Sequence, residues 1–347
     1  MPKTYTRLWG RVASFGALLR AHRKARRGHS RAVEVLRFEM DLEDNLFAIV
    51  EALNTRTWRT GPYRYLFVRD PKPRQVVAVP YSNRVVHHAL VSVLEEIYEP
   101  RFIYDSYACR KGKGVHAGVA RALKFIRAVS RKGPVYALKA DVAQYFASID
   151  RDRLLALLSR YVADPDVLWL CEEIACSYPG PGLPLGNLTS QLWGNVYLHE
   201  LDLFVKQTLR ERYYIRYMDD FVILSNDKAH LHRLRREIET FLRDRLGLRL
   251  HPKTQVFPVR ERYGRPLDFL GYRIYPDRVL LRKRTVLRIR RALRALSRKA
   301  EGHPDLAARL RRTANSYLGL VKHSANHNLY AWVAQFLTDS VIELGEI

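Results

Sequence analysis

The sequence predicts an α+β chain in which an antiparallel sheet is flanked by helices. Short runs of β-branched and aromatic residues, such as VYAL at 135–138 and FVIL at 221–224, are bounded by turn residues. They alternate with longer segments of helical periodicity. In the middle of the chain the order is strand, helix, helix, strand, with no internal repeat and no low-complexity linker, which describes one mixed sheet domain with helical pieces around it. At 347 residues and 47% hydrophobic content the chain has enough apolar material for a sizeable core.

Residues 31–58 place Val35, Leu36, Phe38, Leu42, Leu46, Ile49, Val50 and Leu53 at helical spacing, so one long helix, broken at most once, is expected before Gly61-Pro62. YLFV at 65–68 and QVVAV at 75–79 read as a basic hairpin around DPKPR. Asn83 is the expected cap of a helix running to Tyr98, and Val115 to Ser130 forms another. PVYALKAD (134–141) reads as a buried strand ending in an aspartate. Helices at 151–162 and 165–177 lead to a rigid loop, PGPGLPLGN, and a helix from 188 to 210. YYIRY and FVIL form a tight hairpin, followed by a helix at 228–246. Extended segments at 255–259 and 268–275 precede a wholly helical region from 285 onward.

Lysine and arginine number 60 against 35 acidic residues, a net charge of +25 spread along the chain. A surface of this kind attracts a polyanion, and nucleic acid comes first, because each neutralised phosphate releases condensed counterions. Three cysteines, Cys109, Cys171 and Cys176, include no CxxC pair and cannot complete a disulfide framework, which leads to the expectation of a cytoplasmic protein. The first thirty residues contain neither a signal peptide nor an apolar run near the ~18 residues of a membrane span, so no membrane partner is expected.

Asp219 and Asp220 are expected to occupy the two-residue turn between YYIRY and FVIL. Two adjacent carboxylates raise one another's pKa unless a cation neutralises them; taken alone, the pair also fits an exposed turn. Asp141, at the end of an otherwise apolar strand, adds a third carboxylate. Together they make an oxygen-rich site suited to two Mg²⁺ ions and to phosphoryl transfer.

RYMDDFVIL (216–224) resembles the catalytic hairpin of reverse transcriptases, and LKADVAQYFASID (138–150) is similar to their first metal-binding segment. PKPRQVVAV (71–79), SYACRKGKGVHAG (106–118), GLPLGNLTSQLWGNVYL (182–198), HPKTQ (251–255) and FLGYRI (269–274) then fall in the family's order. The resemblance implies a right-hand polymerase: an N-terminal helical region at 1–59, fingers at 60–135, a palm at 136–280 and a helical thumb at 281–347. It gives Asp141 and Asp219 both metals, with Asp220 as second member of the hairpin and the Val142 carbonyl able to complete one coordination sphere. Phe146 resembles the gate that excludes a 2′-hydroxyl, with Tyr145 as the neighbour open to confusion. Lys72, Arg74 and Arg110 sit where relatives hold the triphosphate and Leu185 where the nascent base pair is checked, and Gln191 joins them as a substrate-binding residue. Lys253 resembles a general acid for pyrophosphate. Leu270, Gly271 and Tyr272 resemble the primer grip. Arg284, Arg288 and Arg291 belong to a basic stripe (Arg282, Lys283, Arg290, Arg294 and Arg298 also lie on it) suited to a duplex backbone. His323 and His327 have i, i+4 spacing, but no third ligand follows, so no zinc site is expected.

LGNLTSQ (185–191) and YLGLVKHSANHNLYAWV (317–333) resemble the reverse transcriptases of diversity-generating retroelements. That narrower resemblance implies a compact enzyme with no nuclease or maturase domain after Ile347. It also implies error-prone, adenine-mutagenic cDNA synthesis from a template-repeat RNA to diversify a target gene. Deoxynucleoside triphosphates, template RNA, the cDNA or primer and a small basic, ring-forming accessory variability protein are the implied partners. Group II intron, retron and CRISPR-associated reverse transcriptases are the nearest alternatives. From a different class, a catalytically silent RNA-binding scaffold remains.

Overall fold

The computed structural model describes residues 3–69, 73–260, 264–300 and 303–342. Three N-terminal helices open the chain: α1 (Phe15–Ala25), α2 (Val33–Met40) and α3 (Leu42–Asn54). The long helix expected at 31–58 is indeed broken once, at Asp41, whose φ of −123° and ψ of 49° leave the helical region. Strands β1 (Arg64–Val68) and β2 (Arg74–Ala78) pair antiparallel from Arg64↔Ala78 to Val68↔Arg74. Helix α4 (Tyr81–Tyr98) starts two residues before the expected cap. Asn83 therefore lies inside it, and its side-chain amide donates to the Arg59 carbonyl instead, at 3.3 Å.

Helix α5 (Val115–Ser130) follows, then strand β3 (Tyr136–Asp141) and helices α6 (Arg151–Ser159) and α7 (Pro165–Cys176). Asp150 and Asp164 cap these two helices by accepting backbone amides of their first turns. Helix α8 (Leu188–Leu203) was expected to run to 210, but its last turn widens into a π-helical segment at Phe204–Thr208. The hairpin around Met218-Asp219 consists of β4 (Tyr214–Tyr217) and β5 (Asp220–Ser225), and α9 (Lys228–Leu246) is capped by Asp227 and ended by Gly247 at φ 66°. Strand β6 (Gln255–Pro258) is followed by a small meander of β7 (Leu267–Phe269), β8 (Tyr272–Ile274) and β9 (Val279–Leu281). The extended segment expected at 268–275 is thus folded back on itself at Leu270-Gly271. Helices α10 (Lys283–Ala300), α11 (Pro304–Val321) and α12 (His327–Ile342) complete the chain, and among the described residues no helix is long and apolar enough to cross a membrane.

The central sheet has the order β4-β5-β3-β6, with every neighbour antiparallel. Strand alternation splits its side chains between two cores. Leu138, Ala140, Tyr214, Phe221 and Ile223 join the core that also holds the N-terminal helices, α4 and α6–α9. Ala137, Ile215, Val222, Leu224 and Phe257 join the core formed with α5, the meander and α10–α12. Burial on both faces is why these strands read as continuous apolar runs, without a polar face.

Arg151 donates to the Tyr178, Gly180 and Gly182 carbonyls, and two backbone bonds also fasten the loop before α8. The Leu183 amide donates to the Phe146 carbonyl at 2.7 Å, and the Val77 amide of β2 donates to the Leu185 carbonyl at 2.7 Å. Gly186 makes the second contact possible: its φ is +123°, and a Cβ there would lie 2.0 Å from the Val77 carbonyl oxygen. Gly186→Ala is therefore expected to destabilise the chain by about 2–4 kcal/mol, through strain and a lost backbone bond. Equilibrium denaturation measures it; a loss below ~1 kcal/mol would show that the loop relaxes without leaving β2.

Candidate active site

Asp141, the last residue of β3, stands directly opposite Asp220, the first residue of β5. The hairpin turn is one residue earlier than the sequence predicts: Met218 and Asp219 form it, with Tyr217 paired to Asp220 across its base. Met218 takes a left-handed φ of 55°, tolerated because its side chain is buried, with Sδ 3.1 Å from where a Cβ on Gly194 would stand. Asp219 thus projects from the turn tip, and the Val142 amide donates to its carbonyl at 3.3 Å. The turn and the end of β3 are held side by side.

Burial, then the neighbouring Asp141 carboxylate, pushes the Asp219 carboxyl up to about 7. Burial likewise lifts Asp220 to about 6, although Lys139 opposes the shift. The Lys139 ammonium lies 3.1 and 3.2 Å from the two Asp220 oxygens. Lys139 is two residues before Asp141 and so shares its sheet face; as a lone polar residue in an apolar strand it was the one signal that sequence reasoning passed over. Among the described residues no group of three or more His, Cys, Asp or Glu side chains forms a metal-ligating cluster, and the Lys139 contact accounts for Asp220. Asp141 and Asp219 remain as two half-buried carboxylates whose mutual repulsion a hard divalent cation would relieve. Those residues, with the Val142 backbone beside them, fit such an ion.

A buried ionic network sets the hairpin's position. Arg216 of β4 donates from Nε and Nη2 to the two Asp202 oxygens at 2.7 and 2.5 Å, and from Nη1 to Asn195 Oδ1 and to the Met218 carbonyl in the turn at 3.2 and 3.0 Å. Tyr214 Oη donates to Asp202 as well, at 2.7 Å. Both charged partners are fully buried. Burial disfavours the guanidinium charge, but the Asp202 carboxylate outweighs it and the arginine pKa rises. Neither Asp202 nor Asn195 carries a sequence signal that links it to the turn.

Tyr145 and Phe146 separate clearly. Tyr145 is buried and donates to the Gly194 carbonyl at 2.5 Å, whereas Phe146 is half-buried beside it, with ring centroids 5.2 Å apart. Leu185 is half-buried and Gln191 exposed, while Arg74 is exposed at the start of β2; Lys72 lies outside the described residues. Arg110 is a loop brace in this structure. Its Nε donates to Glu99 at 2.8 Å and its Nη1 to the Ile103 and Ser106 carbonyls at 2.7 and 2.9 Å, so these donors do not point at an open phosphate site.

Lys253 is exposed and lines a cleft of about 720 Å³ together with Lys139. Leu270 and Gly271 form the β7–β8 turn at φ 52° and 91°, and the Gly271 carbonyl accepts from the Arg282 amide at 3.4 Å. Tyr272 departs from expectation: it is buried, and its hydroxyl donates to the Leu320 carbonyl at 3.1 Å and meets His116 at 3.2 Å. Its side chain fastens the meander to α11, because the alternation of β8 turns it inward. Arg284, Arg288 and Arg291 are exposed at i, i+4, i+7 on α10. The rest of the stripe divides, with Arg290 and Arg294 over the Trp332 ring and Arg282 paired to Asp268. His323 stacks on His116 at 3.7 Å.

Residues 69–274 match the family described as Reverse transcriptase (RNA-dependent DNA polymerase). An uncharacterised 91 kDa protein in the cob intron of Schizosaccharomyces pombe is 29% identical over 179 residues, 48% of this chain and 22% of that protein. The Group II intron-encoded protein LtrA of Lactococcus lactis subsp. cremoris is 27% identical over 177 residues, again 48% of this chain and 29% of its own length. The chain thus spans less than a third of either relative's length. Apo telomerase from Candida tropicalis superposes with a TM-score of 0.53 at 10% identity, over 82% of this chain and 58% of that one, a likeness of fold that agrees with the right-hand polymerase architecture.

Proposed function

The chain belongs to the reverse transcriptase (RNA-dependent DNA polymerase) family, and from that premise we propose that it extends a nucleic-acid 3′-hydroxyl with deoxynucleoside triphosphates on an RNA template. The observation that carries the reading is the pairing of Asp141 with the hairpin tip bearing Asp219, two carboxylates kept together at a cost in repulsion that, once both are ionised, a cation relieves. Reverse transcriptases generally use divalent metal ions. Held by Asp141 and Asp219, a pair of them, Mg²⁺ in this reading, supplies Lewis acidity to the attacking hydroxyl and the leaving phosphate.

The chain's own residues do the rest. Residues 136–280 act as the palm; Arg216 fixes the height of the turn through the Met218 carbonyl, and Lys139 holds Asp220. Residues 60–135 act as fingers, with Arg74 at the turn end of the β1–β2 hairpin as a triphosphate contact. Residues 281–347 act as the thumb, where Arg284, Arg288 and Arg291 follow the duplex backbone. Lys253 protonates the leaving group. Primer extension on an RNA template, with deoxynucleotides and Mg²⁺, tests the reading: no cDNA from folded, RNA-binding protein would leave the scaffold alternative.

Phe146 is the sugar gate in this reading because it is the half-exposed member of its aromatic pair. Phe146→Ala is expected to admit ribonucleotides, with the preference for deoxynucleotides falling at least tenfold, about 1.4 kcal/mol of transition-state discrimination. Competition between dATP and ATP in single-nucleotide extension measures it; an unchanged ratio would move the gate to another residue.

The finer assignment within the family is to the diversity-generating retroelements, with mutagenic copying of a template-repeat RNA and a basic ring-forming accessory protein as partner. LGNLTSQ at 185–191 supports it, since an apolar Leu185 offers no hydrogen bond to a nascent base pair. Similarity to LtrA favours the group II intron alternative. Leu185→Gln separates them: under the finer reading it lowers misincorporation opposite template adenine, by about tenfold for ~1.4 kcal/mol of restored discrimination. Deep sequencing of cDNA from one RNA template gives the error rates, and equal rates in enzymes of equal activity would remove the mutagenic reading.

A further inference from the structure

The cleft between the central sheet and the β7–β9 meander is unusually dense in positive charge. Lys139 and Lys253 enter it from the sheet side, Arg265 and Arg273 from the meander, and Arg282, Lys283 and Arg284 from the start of α10. Asp268 is the one carboxylate among its lining residues, and it is already paired with Arg282 at 2.6 Å. Arg273 is held by the Tyr275 hydroxyl at 2.9 Å, and the Arg265 guanidinium lies 3.8 Å over the Phe257 ring. Lys253, Lys283 and Arg284 have no ion-pair partner among the described residues. Two of the seven cations are neutralised, Lys139 by Asp220 and Arg282 by Asp268; the other five repel one another around about 720 Å³, a cost that an anion of high charge density would relieve.

The geometry points to a small-polyphosphate site in this cleft, coupled to the catalytic hairpin through Lys139. A nucleic-acid backbone carries one charge per nucleotide, drawn out along a line. A tripolyphosphate concentrates several charges on a few atoms, which is what cations converging from three chain segments recognise. The coupling follows from one contact. The Lys139 ammonium that lines the cleft is the same group that bonds both Asp220 oxygens. An anion in the cleft competes with Asp220 for that lysine, so occupancy loosens Asp220, and loosening Asp220 strengthens occupancy by the same factor. The proposal shares Lys253 and Arg284 with the polymerase reading, but neither the binding nor the coupling needs catalysis to be observed.

The test is calorimetric titration of sodium tripolyphosphate into the full chain at low salt, with EDTA present so that metal complexes do not contribute. One saturable site is expected. Arg273→Gln/Lys283→Gln should weaken it at least tenfold, while Arg236→Gln/Arg243→Gln, an equal charge loss on exposed positions of α9, leaves it within twofold. Lys283→Gln alone, at an exposed position, covers the case in which the double variant fails to fold, with a loss of at least threefold. Asp220→Asn frees Lys139 and should tighten binding at least threefold beyond Asp219→Asn, which removes a charge nearby but no Lys139 bond. Equal losses in the cleft and α9 variants would show diffuse surface attraction and overturn the site. Equal affinities in the two aspartate variants would overturn the coupling. Displacement of tripolyphosphate by an equimolar eight-nucleotide oligothymidylate would make the cleft part of a nucleic-acid path and overturn the polyphosphate assignment.

Discussion

Asp219→Asn is expected to lower primer extension by at least a thousandfold while leaving the fold intact, because one of the two anionic donors is lost and nothing in the core is emptied. The same substitution has an opposite effect on stability. Folding raises the Asp219 pKa from the ordinary carboxylate range to about 7, so the folded state holds its proton more tightly than the unfolded chain does. Metal-free wild type therefore loses stability as pH climbs from about 4 to about 7, and the loss is complete above that window. The asparagine variant lacks this carboxylate, and its melting temperature at pH 8 in EDTA should lie a few degrees above wild type. At pH 4 the two should nearly coincide. Thermal melts at both pH values check the sign, and substantial cDNA synthesis by the variant would sink the assignment of Asp219 as a metal-holding residue.

Asp202→Asn should be the most damaging single change away from the carboxylate pair. It leaves the Arg216 guanidinium fully buried without its counter-ion, and breaking such pairs costs about 3–5 kcal/mol. Soluble yield and the denaturation midpoint should both fall. The double variant Asp202→Leu/Arg216→Met replaces the pair by apolar groups and should recover much of the stability, since two buried charges disappear together. It should not recover activity, because the Met218 carbonyl loses the Arg216 donor that fixes the turn. Full activity in the double variant would show that the hairpin holds its position without that donor.

Local signals made much of the fold legible. Helix α5 spans Val115–Ser130 as its periodicity predicts, and α9 spans the expected 228–246, from the residue after Asp227 to the residue before Gly247. Asp141 and Asp219 were legible because a carboxylate at the end of an apolar strand has little structural purpose. What the sequence missed depends on partners far along the chain. The hairpin turn slipped by one residue because Met218, a poor candidate for a left-handed φ, is held there by packing near Gly194. Arg216 is only one letter of YYIRY until Asp202 comes to it across the core. Tyr272 reads as a primer-grip side chain until β8 is known to turn it toward α11. Arg110 reads as a free cation until Glu99 and two carbonyls close around it.

The single backbone bond between Val77 and Leu185 gives the basic hairpin a mechanical character. Strand β1 exposes every one of its side chains, so the hairpin is footed through β2 and the loop spliced to it. Through that bond, a displacement of β2 is expected to be passed to Leu185. The residue assigned to judging the base pair and the residue assigned to gripping the triphosphate are geared together. Under the proposed reading, an incoming nucleotide that fails to seat its phosphates is expected also to leave Leu185 out of place, so that accuracy and closure would be read out by one substitution in β2.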